Sequence, residues 1–469
     1  MKKASILLLT IITFAKPFGQ TLQPEVDKRV EVLSIIFRLA GNPEYNQDNA
    51  TNYVAIIHSY FDKHKNDTII ELAKKMREEN GVSFDGVMSM AVNLNLINEK
   101  FTLKNGWKQS IDNRWVAGNA IQFVNLLNNF YKKTEFEKFF EKEKSYYDIV
   151  TKAFQTVLLK FNQTWYHQYY GIQPKEKFTI VIGCGNGGAN YGPSTTSPQE
   201  GKQIYAIMGS WSFDKDNNPI FKEEDYLPTL IHEFNHSFIN PVLDKYQSNK
   251  ILKNSAQKLL DTMKTEMTSQ AYGDWQTLIN ESLVRAAVVR YLMANKETEQ
   301  KIKDEIATQT NLGFLWTKEL VELLGYYESN RTGYPTFKGF YPELINFFKS
   351  TADSISLIKG KYESNLPKII SIGPFSNNSQ NVDTSIKEMI INFSHIMTGK
   401  GYSFNYGELG KDATPIKTII GYSNDNKSFK IGMELKPDKE YEIIITGGSF
   451  KSIEGYPLKN YMIKFKTAK

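Results

Sequence analysis

Two histidines four residues apart constrain this chain more than any other feature. In Thr229-Leu-Ile-His-Glu-Phe-Asn-His-Ser-Phe238, His232 and His236 flank Glu233 in the pattern H-E-x-x-H. On a helix that spacing puts both imidazoles on one face, about one turn apart. At that separation two ring nitrogens can bind one tetrahedral zinc, and Glu233 sits on the same turn, placed to take a proton from a water on the metal. Pro228 suits a first helical turn and Asn240-Pro241 a helix end, so the spacing predicts a short helix between them. The chain has six histidines and one cysteine, Cys184. An intrachain disulfide and a thiolate metal cluster are therefore excluded.

Zinc needs a third protein ligand and an open position. Glu281, 45 residues after His236 in Asn280-Glu-Ser-Leu-Val-Arg-Ala286, is the candidate. It lies on a predicted apolar helix opening at Asp274, where a buried carboxylate is costly unless it has a task. Arg285, one turn on, faces the same way and can pair with a ligand carboxylate or a substrate group. The oxyanion formed in hydrolysis needs a donor, and Tyr327 and Tyr334 in the tyrosine-rich stretch 326–334 are candidates.

His232-Glu233-x-x-His236 followed by a glutamate on a later helix resembles the gluzincin, thermolysin-like class of zinc metallopeptidases. The wider strings His-Glu-Phe-Asn-His-Ser-Phe-Ile-Asn-Pro and Asn-Glu-Ser-Leu-Val-Arg-Ala are similar to a bacterial family of secreted proteins known only as a domain of unknown function. The resemblance implies that His232, His236 and Glu281 hold Zn2+ and that Glu233 is the general base. It also implies that the strand before the metal helix, 203–208, is the cleft edge that pairs with an extended peptide. One departure is plain. Thermolysin-like enzymes carry an Asp where Arg285 stands, so the group that orients a metal histidine must come from elsewhere, with Asn240 a candidate.

The remaining organisation follows from texture. Residues 1–19 have Lys2 and Lys3, then a short apolar run, and read as a secretory signal cleaved near Gly19/Gln20. Its loss removes Lys2, Lys3 and Lys16 and takes the net charge from +6 to +3, no argument for a nucleic-acid partner. No later stretch approaches the roughly 18–20 apolar residues of a membrane span. The expected location is periplasmic or extracellular, on a bacterial signal peptide.

Helical periodicity dominates 22–172, interrupted by strand signals at 178–182 and 203–208 and resumed to about 348. Between those strands, Gly183-Cys-Gly-Asn-Gly-Gly188 matches a dinucleotide-binding loop in spelling only. No helix signal follows it, so a cleft loop is the better reading. From about 367 the pattern changes to short strands at 368–372, 387–393, 416–422, 428–435, 441–446 and 461–465. This part resembles bacterial Ig-like modules. The expected class is α+β: a mostly helical zincin-like domain over 20–365 with a small mixed sheet, then an all-β sandwich over 367–469.

The function expected is zinc-dependent hydrolysis of peptide or protein substrates, glycoproteins included. The alternative is a non-catalytic, metal-stabilised surface protein that binds glycan or protein.

Overall fold

The structure is a computed structural model that describes residues 22–47, 49–173 and 175–469. The expected signal, 1–19, lies outside the described residues. Helices make up about 49% of the chain, with small sheets and a later all-β region, which makes it an α+β protein. The chain forms two compact units. One takes the described residues up to 161 with those between 173 and 238; the other takes 162–173 and 238–469.

The first unit is built on the Lys28–Leu39 helix, in which Val32, Leu33, Ile35, Ile36 and Phe37 are wholly buried. Its sheet runs in the order Pro24–Glu25, Lys177–Ile182, Gly201–Met208, Ser194–Ser197, the first two pairings parallel and the last antiparallel. The Gly201–Met208 strand is therefore interior: one side pairs with Lys177–Ile182, and the other with Ser194–Ser197 and, at Ile207, with Tyr191. This corrects the expectation that 203–208 is the cleft edge; the edge position belongs to Ser194–Ser197. A hairpin, Leu94–Ile97 with Lys100–Leu103, also breaks the helical texture. Its turn residues Asn98 and Glu99 sit at φ 50° and 59°. A turn with both central residues at positive φ is usually written Asn-Gly, and Asn-Glu does not announce it.

The glycine-rich loop 183–188 is followed by no helix, in keeping with the weak dinucleotide reading. The loop packs directly on the first helix. A Cβ on Gly185 would lie 2.9 Å from the Ser34 Cβ, which is why glycine stands there. The Ser34 hydroxyl donates to Asn186 Oδ1 (2.8 Å), and the Gly185 N–H donates to Glu31 Oε1 (3.4 Å). Burial pushes the adjacent Cys184 thiol well above its ordinary range, so it is an inert core group.

Glu31 is completely buried and accepts from the Tyr53 hydroxyl at 2.8 Å. Burial outweighs these donors and raises its pKa to about 7. An unfolded glutamate titrates near roughly 4.3, so between the two values the folded state holds the extra proton. Stability is then fully present below the unfolded value and is lost as pH rises towards the folded one. Glu31→Gln should flatten this dependence by a few kcal/mol between about pH 5 and 8, read from urea midpoints at both ends. Parallel pH profiles for variant and wild type would contradict it.

In the second unit the Trp275–Ala294 helix is packed by Lys250–Thr262, Glu299–Asn311 and Thr317–Ser329. The all-β part has a four-stranded sheet, Ile416–Tyr422, Ser428–Met433, Glu388–Phe393, Ile369–Gly373, and a three-stranded one, Tyr461–Lys466, Glu440–Ile445, Phe404–Asn405. Alternation builds the core: Met389, Ile391 and Phe393 from one sheet meet Tyr441, Ile443, Ile445, Ile463 and Phe465 from the other. Asn311 Nδ2 donates to the Gly455 carbonyl (2.9 Å), which ties this sandwich to the Glu299–Asn311 helix.

Among the described residues, no helix is long and apolar enough to cross a membrane.

Candidate metal centre

The two histidines lie on the Glu223–Leu243 helix, which is longer at both ends than the sequence predicts. Its first turn carries Glu223, Glu224 and Asp225, a favourable charge for a helix N-terminus. Leu230, Phe234 and Phe238 make its buried ridge, with the Phe234 ring 4.9 Å from that of Phe178. His232, His236 and Asn240 follow at the same spacing on a half-buried face. The helix runs through Pro241 rather than stopping before it. Proline lacks the N–H that would reach the Ser237 carbonyl. The Lys202 ammonium takes that carbonyl instead, at 2.7 Å.

The Nε2 atoms of His232 and His236 are 3.1 Å apart, with ring planes at 79°. Two ligands each about 2.0–2.1 Å from a tetrahedral zinc stand roughly 3.3 Å apart, so the pair is already near a ligating geometry. Glu233 is 7% exposed. The backbone behind it is met by Gly192, where a Cβ would fall 2.1 Å from the Glu233 carbonyl oxygen.

Glu281 comes from the Trp275–Ala294 helix. That helix opens at Asp274, whose Oδ1 accepts the Thr277 N–H at 2.8 Å. Its flanks Leu278, Ile279, Leu283 and Val284 are buried, and Glu281 is itself 7% exposed. One ligand atom each from His232, His236 and Glu281 lie within 4.8 Å of one another. Two imidazole nitrogens and one carboxylate oxygen make a donor set that suits zinc.

Glu281 Oε2 accepts from Arg285 Nε at 3.1 Å and from the Tyr272 hydroxyl at 3.0 Å. Arg285 Nη2 also donates to the Tyr272 oxygen (2.8 Å), closing a triangle. Burial and then the Glu281 carboxylate hold the Tyr272 hydroxyl protonated well above its ordinary range. Burial works against the Arg285 cation, but Glu281 and Tyr272 outweigh it and raise its pKa.

Tyr327 and Tyr334 are not brought to this group. Tyr327 is fully buried and donates to the Tyr169 carbonyl at 2.6 Å; Tyr334 donates to Glu343 at 3.1 Å. Tyr272 is the phenol at the ligand, and it was missed. It stands in the turn between Ala271 and Gly273, outside any periodic pattern.

Fold and site together define an α+β protein whose helices assemble a His-His-Glu group able to hold a metal ion. The chain belongs to DUF4932, a domain-of-unknown-function family that it matches over residues 22–347. No curated protein matches it in sequence. Two solved structures of the bacterial S-layer protein SbsC are similar in part. Domains 1–6 of that surface layer protein share 12% identity over 51% of this chain and 34% of theirs, at a TM-score of 0.17. Its N-terminal part shares 14% identity over 53% of this chain and 65% of that structure, also at 0.17. The chain thus spans less than two thirds of either, and at this TM-score the likeness carries no argument.

Proposed function

We propose that this protein is a zinc-dependent hydrolase of peptide bonds, of the gluzincin type, with His232, His236 and Glu281 as ligands and Glu233 as general base. The observation that carries this reading is the convergence of those three ligand atoms within 4.8 Å, with Glu233 on the same helical turn as the histidines. A zinc ion there supplies Lewis acidity, polarising a carbonyl and making water acidic near neutral pH. The Glu233 carboxylate takes the proton of the attacking water on one oxygen and hands it to the leaving amine nitrogen. Arg285 and Tyr272 hold Oε2 of Glu281.

Metal removal tests the reading. We expect one zinc per chain by elemental analysis and hydrolysis of a peptide library that chelation abolishes and zinc restores. Zinc at about a thousand times its dissociation constant should stabilise the fold by roughly 4 kcal/mol in thermal melts, and His232→Ala should lose both effects. A chelated protein that cleaves peptides at the original rate would sink metal dependence. Full zinc with no cleavage would favour a metal-stabilised binder of protein or glycan.

A further inference from the structure

We propose that Arg285 and Tyr272 are positioning residues that fix Oε2 of Glu281, so that this ligand meets the metal through its other oxygen alone. The inference rests on the metal reading above but not on peptide-bond chemistry. Oε2 accepts from Arg285 Nε at 3.1 Å and from the Tyr272 hydroxyl at 3.0 Å, and Arg285 Nη2 stands 3.1 Å away in the same ion pair. Two donors fill the two lone pairs of one carboxylate oxygen.

The holders are themselves held. The Arg285 guanidinium lies 4.8 Å from the Phe314 ring centroid. Its Nη1 donates to Gln309 Oε1, and Gln309 Nε2 donates onward to Glu305 Oε1 at 2.7 Å. Arg285 therefore cannot turn away without abandoning a buried donor. A lysine ammonium in its place is a single point and cannot bond Glu281, Tyr272 and Gln309 together; the guanidinium fork can. The device is cationic and acts on the carboxylate ligand. It stands where thermolysin-like enzymes place an acid that acts on a histidine. A cation there draws electron density from Glu281 and disfavours chelation through both oxygens.

Zinc affinity, measured by competition with a chromophoric chelator, tests this without reference to turnover. Arg285→Met and Tyr272→Phe should each weaken zinc about 10–100-fold, and Arg285→Lys should recover part of the loss. X-ray absorption should show one Glu281 oxygen at the metal in the wild type and two in Arg285→Met. Arg290→Met is the control, because Arg290 is on the same helix and pairs with Glu328 instead.

Wild-type affinity in both Arg285→Met and Tyr272→Phe would overturn the proposal, as would an equal loss in Arg290→Met or a two-oxygen Glu281 in the wild type. A wild type that binds no zinc overturns this inference and the hydrolase together. Full activity in Glu233→Gln would sink only the assigned base, leaving the affinity comparison intact.

Discussion

Glu233→Gln should leave zinc content unchanged and cut peptide hydrolysis by about 10²–10⁴-fold. The substitution keeps the shape of a side chain that is 7% exposed and spares the three ligands, so neither packing nor the metal should respond. What it removes is the ability to accept a proton. At about 1.36 kcal/mol per factor of ten, the loss corresponds to roughly 3–5 kcal/mol in the barrier. The effect should fall on kcat more than on KM, because proton transfer matters only on the way to the transition state. Elemental analysis beside steady-state kinetics decides it. Full zinc with unaltered kcat would remove Glu233 from its role.

The second large effect should come from a residue with no side chain. Gly192→Ala places a methyl 2.1 Å from the Glu233 carbonyl oxygen, 2.9 Å from its carbonyl carbon and 3.1 Å from its Cα. These are backbone atoms of a packed helix and cannot swing aside. Either the 189–193 segment backs away or the helical turn bearing Glu233 shifts. Overpacking of this kind costs about 1–3 kcal/mol. A displacement of the order of 1 Å at the base should lower kcat/KM by roughly 10². Gly118→Ala is the contrast. Its Cβ meets nothing within 4 Å on the Ala117–Lys133 helix, so it should be neutral or stabilise by up to about 1 kcal/mol. Equal melting temperatures and equal kcat/KM for Gly192→Ala and the wild type would refute the close approach.

Much of this architecture was legible in local pattern. The alternation at 416–422 and 461–465 is matched by strands Ile416–Tyr422 and Tyr461–Lys466, and Asp274 caps the helix it was expected to open. Asp274 was readable because an N-cap is a bond between neighbours, here to Thr277. The misses share a non-local cause. The Glu223–Leu243 helix runs through Pro241, where Lys202 from a distant strand donates to the Ser237 carbonyl that the missing N–H leaves open. The strand at 203–208 is interior because Ser194–Ser197 folds back beside it. Strand spelling does not say which neighbour covers it. Tyr327 and Tyr334 sit in a donor-rich stretch, but their hydroxyls are taken by Tyr169 and Glu343.

The sequence by itself determined that His232 and His236 share a face, because a fixed rise and turn per residue makes that a property of spacing. It also determined where helical texture yields to strands, since side-chain periodicity follows backbone type. Only the tertiary structure decided that Glu281 reaches the histidines and that its carboxylate is gripped by Arg285 and Tyr272. Only it placed Gly192 against the backbone of Glu233. Those contacts join segments far apart in the chain or lodged in turns. Which buried donor meets which acceptor there is set by how whole helices pack, which no local spacing encodes.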